Sequence, residues 1–253
     1  MLFYFSATGN SRYVASCLAA EGEPLYSIPQ LLREGRTSFA VPDGQPVGFV
    51  TPTYFWGLPH LVEQFFQALT LELPADSYVY FVATYGATPG AAGSFVKELL
   101  AARGYPLHAL YGVKMPDTWT PVFDLSNPDK VARQNAAAEI SLRCVVTALQ
   151  NRYSGDALQH QAPLWLTRAF VRPLYEKMRT TDHFRVSDAC IGCGLCARQC
   201  PVSAIRMEND RPVWAAPRCE ICLGCLHHCP KFAISYGSKT GAHGQYHNPH
   251  TEP

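Results

Sequence analysis

The sequence lacks an excess of charge of either sign and lacks any long apolar run. Its 21 Lys and Arg residues face 20 Asp and Glu residues, so the formal net charge is +1 in 253 residues. This balance argues against nucleic acid or a charged membrane surface as the main partner. No apolar stretch approaches the roughly 18 residues of a membrane-spanning helix, and the first residues lack the basic start of a signal peptide. We therefore expect a soluble, cytoplasmic protein.

What the sequence does contain is apolar material and cysteine. Apolar residues make up 47% and charged residues 16%, which is enough for a packed core and excludes a disordered chain. The length of 253 residues fits two domains. Eight of the ten cysteines crowd between positions 190 and 229. In a reducing compartment, such clustering indicates metal ligands rather than disulfides.

The N-terminal part alternates short apolar runs with helical patterns. The apolar runs predict five strands, over residues 2–5, 25–28, 47–51, 78–84 and 107–113. The apolar spacing between and after them predicts helices over residues 10–20, 59–69, 91–102 and 129–153. Strands that are apolar on both faces and separated by helices indicate a parallel sheet covered on two sides. We predict an α/β fold with a doubly wound, five-stranded parallel sheet.

The clustered cysteines form two runs with one pattern, C-x2-C-x2-C-x3-C-P, and the second run begins 29 residues after the first. Bacterial two-cluster ferredoxins use this run, in which the fourth cysteine of each run ligates the other cluster. The set predicted for cluster I is Cys190, Cys193, Cys196 and Cys229. The set predicted for cluster II is Cys219, Cys222, Cys225 and Cys200.

Structural zinc is the alternative for these cysteines. Zinc modules use pairs of C-x2-C hooks around one tetrahedral ion, and they do not need a third evenly spaced thiolate and a fourth before proline. Residues 184–236 resemble the bacterial-type 2[4Fe–4S] ferredoxins. One departure is that Gly194 follows Cys193, whereas Leu223 follows Cys222. The bulkier neighbour predicts different solvent access and different potentials for the two clusters.

The turn after the first predicted strand reads Ser6-Ala7-Thr8-Gly9-Asn10-Ser11. We call residues 6–11 the phosphate turn, because hydroxyls and backbone N–H groups at a helix N-terminus offer donors to a phosphate. It has neither the lysine of a P-loop nor the G-x-G-x-x-G pattern, which disfavours a nucleoside triphosphate and a dinucleotide. An ordinary capped helix is the alternative. The predicted phosphate-binding residues are Ser6, Thr8, Gly9, Asn10 and Ser11.

Two further loops leave the carboxyl ends of predicted strands, where ligands bind in such sheets. Both carry aromatic residues next to glycine, and aromatic faces can stack on a flavin ring while glycine permits close approach. Packing of these aromatics on the sheet is the alternative. The predicted flavin-binding residues are Thr53, Tyr54, Phe55, Trp56 and Gly57 in the first loop and Thr84, Tyr85, Gly86 and Gly90 in the second.

In order and position, the three loops resemble those of flavodoxins, and the whole chain resembles the flavodoxin–ferredoxin fusion family. The resemblance implies FMN at the phosphate turn, with its ring between the two aromatic loops, and two [4Fe–4S] clusters near the carboxyl end. Residues 115–119 are expected to cover the flavin or to meet the ferredoxin domain. The expected divisions are a flavodoxin-like domain at 1–153, a helical connector at 154–183, a small α+β ferredoxin domain at 184–236 and a mobile tail at 237–253.

Iron–sulfur clusters transfer single electrons, and a flavin can hold one or two. We therefore predict an electron carrier that passes electrons between FMN, two clusters and an external redox protein. The alternatives are an FMN-dependent reductase of a small molecule, fed by the clusters, and a redox sensor without catalysis. No paired carboxylates or nucleophile elbow favour an enzyme. Bound cofactors would bring the net charge to about −5, so we expect a partner with a basic docking patch.

Overall fold

The computed structural model describes residues 1–159 and 161–252. Its N-terminal part alternates strands with helices. The strands are β1 (Leu2–Tyr4), β2 (Leu25–Ser27), β3 (Ser38–Ala40), β4 (Val47–Pro52), β5 (Thr70–Glu72), β6 (Val79–Tyr85), β7 (Ala109–Lys114) and β8 (Gly155–Asp156). The helices are α1 (Asn10–Leu18), α2 (Ile28–Glu34), α3 (His60–Ala68), α4 (Ala92–Ala101) and α5 (Pro128–Gln150).

Six of these strands form one parallel sheet in the order β2-β1-β4-β6-β7-β8. The strands β3 and β5 pair with each other in a separate parallel ribbon. Without that ribbon, the first five strands of the sheet follow the flavodoxin-like order 2-1-3-4-5. The predicted α/β class with a doubly wound parallel sheet is confirmed. The sheet has a sixth strand because the two residues of β8, which carry no apolar pattern, extend its edge.

Both faces of the sheet are buried, which explains why its central strands are apolar along most of their length. Successive residues of β4 and β6 point to opposite faces. Phe49 and Phe81 belong to the core that α3 and α4 cover. Val50 and Val82 belong to the core that α1 and α5 cover. The site-bearing loops therefore leave a rigid scaffold.

The C-terminal part consists of short elements. They are α6 (Leu164–Leu166), a π-helical turn (Thr167–Val171), α7 (Arg172–Met178), β9 (Phe184–Val186), α8 (Leu195–Arg198), β10 (Ile205–Glu208), β11 (Arg211–Trp214), α9 (Gly224–His227), β12 (Ile234–Tyr236) and α10 (Thr240–His243). The strands pair antiparallel, β10 with β11 and β9 with β12. This is the small α+β region that the cysteine pattern predicts. No helix within the described residues is long and apolar enough to cross a membrane.

The segment before the ferredoxin region packs on the sheet region through a buried aromatic residue, and Arg172 adds an ion pair with Glu63. Tyr175 is fully buried and stacks on Phe55, with ring centroids 5.3 Å apart. Trp165 and Phe170 of the same segment are 69% and 66% exposed. Tyr175 thus joins the N-terminal and C-terminal parts.

The polar tail is packed rather than free. Tyr246 and Asn248 are buried. The Tyr246 hydroxyl lies 2.8 Å from Oδ1 of Asn10, and the Asn248 N–H donates to the Thr8 carbonyl over 2.9 Å. The tail therefore lies against the phosphate turn. The polar composition of the tail predicts mobility. The contacts that hold the tail are hydrogen bonds between polar groups, and no apolar stripe in the sequence indicates them.

Candidate functional site

A cavity of about 250 Å³ opens at the carboxyl edge of the sheet. It lies where the strand order reverses between β1 and β4, the point at which sheets of this kind bind ligands. The phosphate turn and both aromatic loops line it. The predicted flavin-binding residues on its wall are Ser6, Thr8, Asn10, Ser11, Thr53, Tyr54, Phe55, Trp56, Thr84, Tyr85 and Gly86.

Three predicted glycines lie beside the cavity and not on its wall. Gly9 has φ +92° and Gly90 has φ +57°, both in the left-handed region that favours glycine. A Cβ on Gly90 would stand 2.2 Å from the Cα of Trp56, and a Cβ on Gly57 would stand 3.1 Å from Nη1 of Arg172. These glycines allow the backbone of the loops to adopt its conformation and to pass close to neighbouring residues.

Hydroxyl groups connect the phosphate turn to the neighbouring strands. Ser11 Oγ lies 2.8 Å from Thr84 Oγ1, at the end of β6. Thr53, on the cavity wall, has a buried Oγ1 with no hydrogen-bond partner among the described residues. Leaving a buried hydroxyl unpaired costs about 1–3 kcal/mol. A ligand with polar groups on its ring edge, as FMN has, would remove that cost, so this wall fits the predicted cofactor.

The three aromatics of the first loop have different surroundings. Tyr54 meets Phe5 edge to face, with centroids 6.1 Å apart, and Phe55 stacks on Tyr175. Trp56, at φ +59°, is 39% exposed. Tyr54 and Phe55 therefore pack as well as line the cavity. Trp56 is the aromatic of this loop with the most surface to offer a ligand.

The loop after β7 lines the cavity and also meets the ferredoxin region. Asp117 and Trp119 are on the cavity wall. The Trp119 ring lies 5.5 Å from that of Tyr236 in β12. Burial raises the pKa of Asp117, against backbone N–H groups that lower it. The Asp117 Oδ1 accepts the Trp119 N–H over 3.0 Å, a contact typical of a turn. Its place on the cavity wall depends on the fold of the loop.

The eight clustered cysteines surround two further cavities. One is lined by Cys190, Cys193, Cys196 and Cys229, and the other by Cys200, Cys219, Cys222 and Cys225. These are the interleaved groupings predicted for clusters I and II, and we call them the cluster I set and the cluster II set. In the described part of the chain, no three His, Cys, Asp or Glu side chains meet closely enough to hold a single metal ion.

Backbone N–H groups point at several of the sulfurs. The N–H of Ala204 donates to Cys200 Sγ, and the N–H of Ala233 donates to Cys229 Sγ, each over 3.2 Å. These are matching positions of the two runs. Burial raises the pKa of Cys219 to about 11. A metal centre supplies the positive charge that keeps such a thiol deprotonated, and the N–H···S bonds assist it.

The two runs differ in the residues between their cysteines. Gly192 and Gly194 of the first run have φ +68° and +71°. The second run keeps the same left-handed backbone at Ile221 and Leu223, with φ +45° and +56°. A left-handed backbone costs a branched or bulky side chain free energy, and burial of Leu223, which is 1% exposed, offsets it.

The cluster II set borders the 250 Å³ cavity. Cys222 and its neighbour Ile221 are on the wall of the 250 Å³ cavity, and Cys222 also lines the cluster II cavity. Tyr54 belongs to the same wall. The spacing of the cysteines carries no signal for this juxtaposition, since it depends on how the two parts of the chain pack.

A buried ion pair adjoins the cluster II set. Glu220 is 1% exposed, and its carboxylate accepts from Arg179 Nη2 and from the Tyr175 hydroxyl, each over 3.1 Å. Arg179 Nε also donates to the Cys219 carbonyl over 3.1 Å. In the first run the matching position is Ile191. A charged residue between two cysteines was the sequence signal for this pair, and the prediction did not use it.

Two histidines after Cys225 connect the ferredoxin region to the loops around the cavity. His227 Nε2 lies 2.8 Å from the Thr118 carbonyl, and its Nδ1 accepts the Tyr246 N–H over 3.1 Å. Burial lowers the pKa of His227 to about 4, so its ring is neutral at pH 7. His228 Nε2 lies 2.8 Å from the Ala7 carbonyl. The histidines tie the cluster II set to the phosphate turn and to the loop after β7.

The cysteine-rich region has relatives among known proteins. Residues 183–230 match the family described as a 4Fe-4S dicluster domain, which covers less than half of the chain. The pyruvate synthase subunit PorD of Methanothermobacter marburgensis is 58% identical over 24 residues. That match covers 10% of this chain and 30% of the relative's length. The C-terminal region is therefore an iron–sulfur ferredoxin domain, which supports an electron-transfer role.

Over somewhat more than half of its length, the chain is similar to three solved structures. They are the Trp repressor binding protein from Bacillus subtilis, rubredoxin oxygen:oxidoreductase from Desulfovibrio gigas and an azoreductase from Bacillus anthracis. Their TM-scores are 0.36, 0.33 and 0.34, their identities 12%, 20% and 10%, and they cover 56%, 58% and 58% of this chain. The alignments cover 96%, 36% and 98% of those chains. The strand order carries the fold assignment.

Proposed function

We propose that this chain is an electron-transfer protein that holds one FMN and two [4Fe–4S] clusters. FMN would lie in the 250 Å³ cavity, with its phosphate at residues 6–11 and its ring near Trp56 and Tyr85. The cluster I set and the cluster II set would each hold one cluster. The bound groups supply one-electron and two-electron redox chemistry. The chain supplies binding, orientation and the order of the redox centres.

One observation carries this proposal: Cys222 lines both the flavin cavity and the cluster II cavity. A ligand of cluster II thus forms part of the flavin-site wall. Direct adjacency favours electron exchange within the chain over exchange between molecules. Cys193 of the cluster I set is exposed. We infer that an external redox protein exchanges electrons at cluster I and that FMN stands at the inner end of the chain.

The partner would dock near Cys193. With clusters and FMN bound, the net charge of about −5 favours a partner with a basic patch and a rate of association that falls with salt. A redox protein with a basic patch is therefore the first kind of partner to test.

A second candidate function is an FMN-dependent reductase of a small molecule. The observation that favours it is Asp117, a carboxyl on the cavity wall whose pKa burial raises. Such a group can deliver a proton when electrons leave the flavin. Turnover of a quinone or a nitro compound faster than free FMN achieves would favour this candidate.

The experiment for the main proposal is anaerobic purification with iron, sulfide and flavin measured per chain. We expect about eight iron and eight sulfide atoms, as two [4Fe–4S] clusters contain, together with one FMN. Zinc in place of iron would contradict the cluster assignment. Iron without FMN would contradict the flavin site alone.

A matched pair of variants tests the predicted position of the flavin ring. Trp56→Ala removes the most exposed aromatic of the cavity wall, and Trp165→Ala removes an exposed tryptophan that does not line that wall. We expect the first to lower FMN affinity about tenfold or more, from lost stacking and burial. The second should leave FMN affinity unchanged. Equal effects of the two substitutions would contradict the placement of the ring.

A further inference from the structure

A cavity of about 210 Å³ lies behind the phosphate turn. Ser6 and Ala7 line both the flavin cavity and this cavity. Its walls come from the N-terminal sheet region, the ferredoxin region and the tail. Nothing in the proposed electron-transfer role uses it.

The walls of this cavity carry three guanidinium groups from three elements. Arg12 belongs to α1, Arg33 to α2 and Arg198 to α8. The one carboxylate among its described lining residues is that of Glu252. None of the three arginines forms an ion pair with a carboxylate of the described chain. Three like charges around one space repel each other unless an anion enters it.

The donors of these arginines are largely unused. Arg33 Nη1 makes one long contact of 3.5 Å with the Pro201 carbonyl. Arg198 Nη1 donates to the Cys193 carbonyl over 2.8 Å. Each guanidinium has five N–H donors in a planar fork. Most of the donors can therefore bind an incoming oxyanion.

A histidine ring completes the wall. His228 lines the cavity, and its Nε2 lies 2.8 Å from the Ala7 carbonyl, so Nε2 carries the hydrogen and donates it. Its Nδ1 is buried and has no hydrogen-bond partner among the described residues. Such a ring nitrogen accepts from an O–H group when it carries no proton and donates to an oxyanion when it carries one. A ligand that offers both negative oxygens and an O–H group would satisfy the arginines and this nitrogen.

We propose that this cavity binds the phosphate group of a small phosphorylated ligand, with Arg33 and Arg198 as its principal contacts. The guanidinium fork matches phosphate oxygens in bidentate geometry, and its charge is compensated by a dianion. A hydrogen phosphate ion or a phosphate beside a hydroxyl-bearing sugar both have this chemistry. Because Cys222 also lines the cavity, the bound anion would lie close to the cluster II set.

The test is calorimetric titration of anaerobically purified protein that carries its clusters and is saturated with FMN. The titrants are inorganic phosphate, ADP and adenosine at constant ionic strength. We expect saturable binding of one phosphate or one ADP per chain and no binding of adenosine. Tighter binding of ADP than of phosphate would assign the site to a nucleotide, and equal binding would assign it to free phosphate.

Substitutions locate the binding. Arg33→Gln and Arg198→Gln should each weaken binding about tenfold, the effect of one lost charge-assisted hydrogen bond. Arg143→Gln, an exposed arginine of α5 that lines none of these cavities, is the control and should change nothing. Absence of saturable binding, or binding that survives both cavity substitutions, would overturn the proposal. FMN and iron are measured on the same samples, so a failure of the flavin or cluster assignment is detected separately.

Discussion

The two cysteine runs share one spacing and lie in opposite surroundings. In the first run, Cys193 is exposed and Ile191 is 60% exposed. In the second, Glu220 stands where the first has Ile191, and it is buried against Arg179. The two runs share their cysteine spacing, and they differ in the burial of the residues between the cysteines, which are exposed in the first run at Ile191 and buried in the second at Glu220.

The same lesson applies to the left-handed positions of the runs. Glycine occupies them in the first run and leaves the surface open. Ile221 and Leu223 occupy them in the second run and seal the interface with the sheet region. The second run therefore accepts backbone strain and gains buried apolar surface in return.

The largest expected effect comes from removing a ligand of either set. Cys222→Ser should leave about four iron atoms per chain and should stop reduction of FMN through the clusters, since the inner cluster is lost. Cys193→Ser should leave a similar amount of iron and should mainly slow the reaction with a protein partner. Iron analysis and stopped-flow absorbance distinguish the two. Identical kinetic defects would contradict the placement of cluster I at the surface and of cluster II beside the flavin cavity.

The next effect concerns the ion pair at the cluster II set. Glu220→Gln removes a buried negative charge beside Cys219. Because reduction adds an electron to the cluster, the reduced form should become easier to reach. We expect the equilibrium constant for reduction of cluster II to rise about tenfold. For one electron, this raises the midpoint potential of the cluster by about 59 mV. A redox titration followed by electron paramagnetic resonance measures it.

Cluster I serves as the internal reference in that titration. Its potential should move much less, because the position that matches Glu220 in the first run holds Ile191. Equal shifts of both clusters would mean that the ion pair acts on the whole domain and not on cluster II.

A smaller effect is expected from exchanging a left-handed residue. Leu223→Gly relieves backbone strain of about 1–2 kcal/mol but loses about 1.5–3 kcal/mol of side-chain burial. We expect a net loss of about 1 kcal/mol in unfolding free energy and faster bleaching of cluster II in air. Gly194→Ala is the control in the first run, and it should leave the bleaching of cluster II unchanged. Protection of cluster II by Leu223 would be refuted if its rate of bleaching stayed that of the unsubstituted chain.

The smallest expected effect concerns the tail, which hydrogen-bonds to the phosphate turn. Tyr246→Phe removes a hydroxyl that hydrogen-bonds to Asn10. We expect FMN affinity to fall about threefold to tenfold, the value of one hydrogen bond. Fluorescence titration with FMN measures it. Tyr153→Phe, an exposed tyrosine, is the control, and a loss of affinity in both variants would remove the tail from the account.

Features that repeat or alternate were predictable from sequence. The apolar runs predicted the central strands of the sheet, and the cysteine spacing predicted the ferredoxin region. The loops at the carboxyl edge followed from the strand order, because parallel strands end together. These predictions rest on local periodicity and on motifs with one geometric solution.

Features that depend on polar contacts between distant segments were not predictable. The edge strand β8 has two residues and no apolar pattern. The tail is held by bonds from Tyr246 and Asn248 to the phosphate turn, more than 230 residues away in the chain. The position of Cys222 on the wall of the flavin cavity depends on packing between two regions, and no residue pattern records it.

Flash reduction of the loaded protein tests the central claim most directly. An external one-electron donor reduces cluster I, and the absorbance of FMN is then followed over time at several protein concentrations. We predict that FMN becomes reduced in a first-order step whose rate does not depend on protein concentration, and that Cys222→Ser abolishes this step. A rate of FMN reduction that rises in proportion to protein concentration would contradict the account, because electrons would then pass between molecules rather than along one chain.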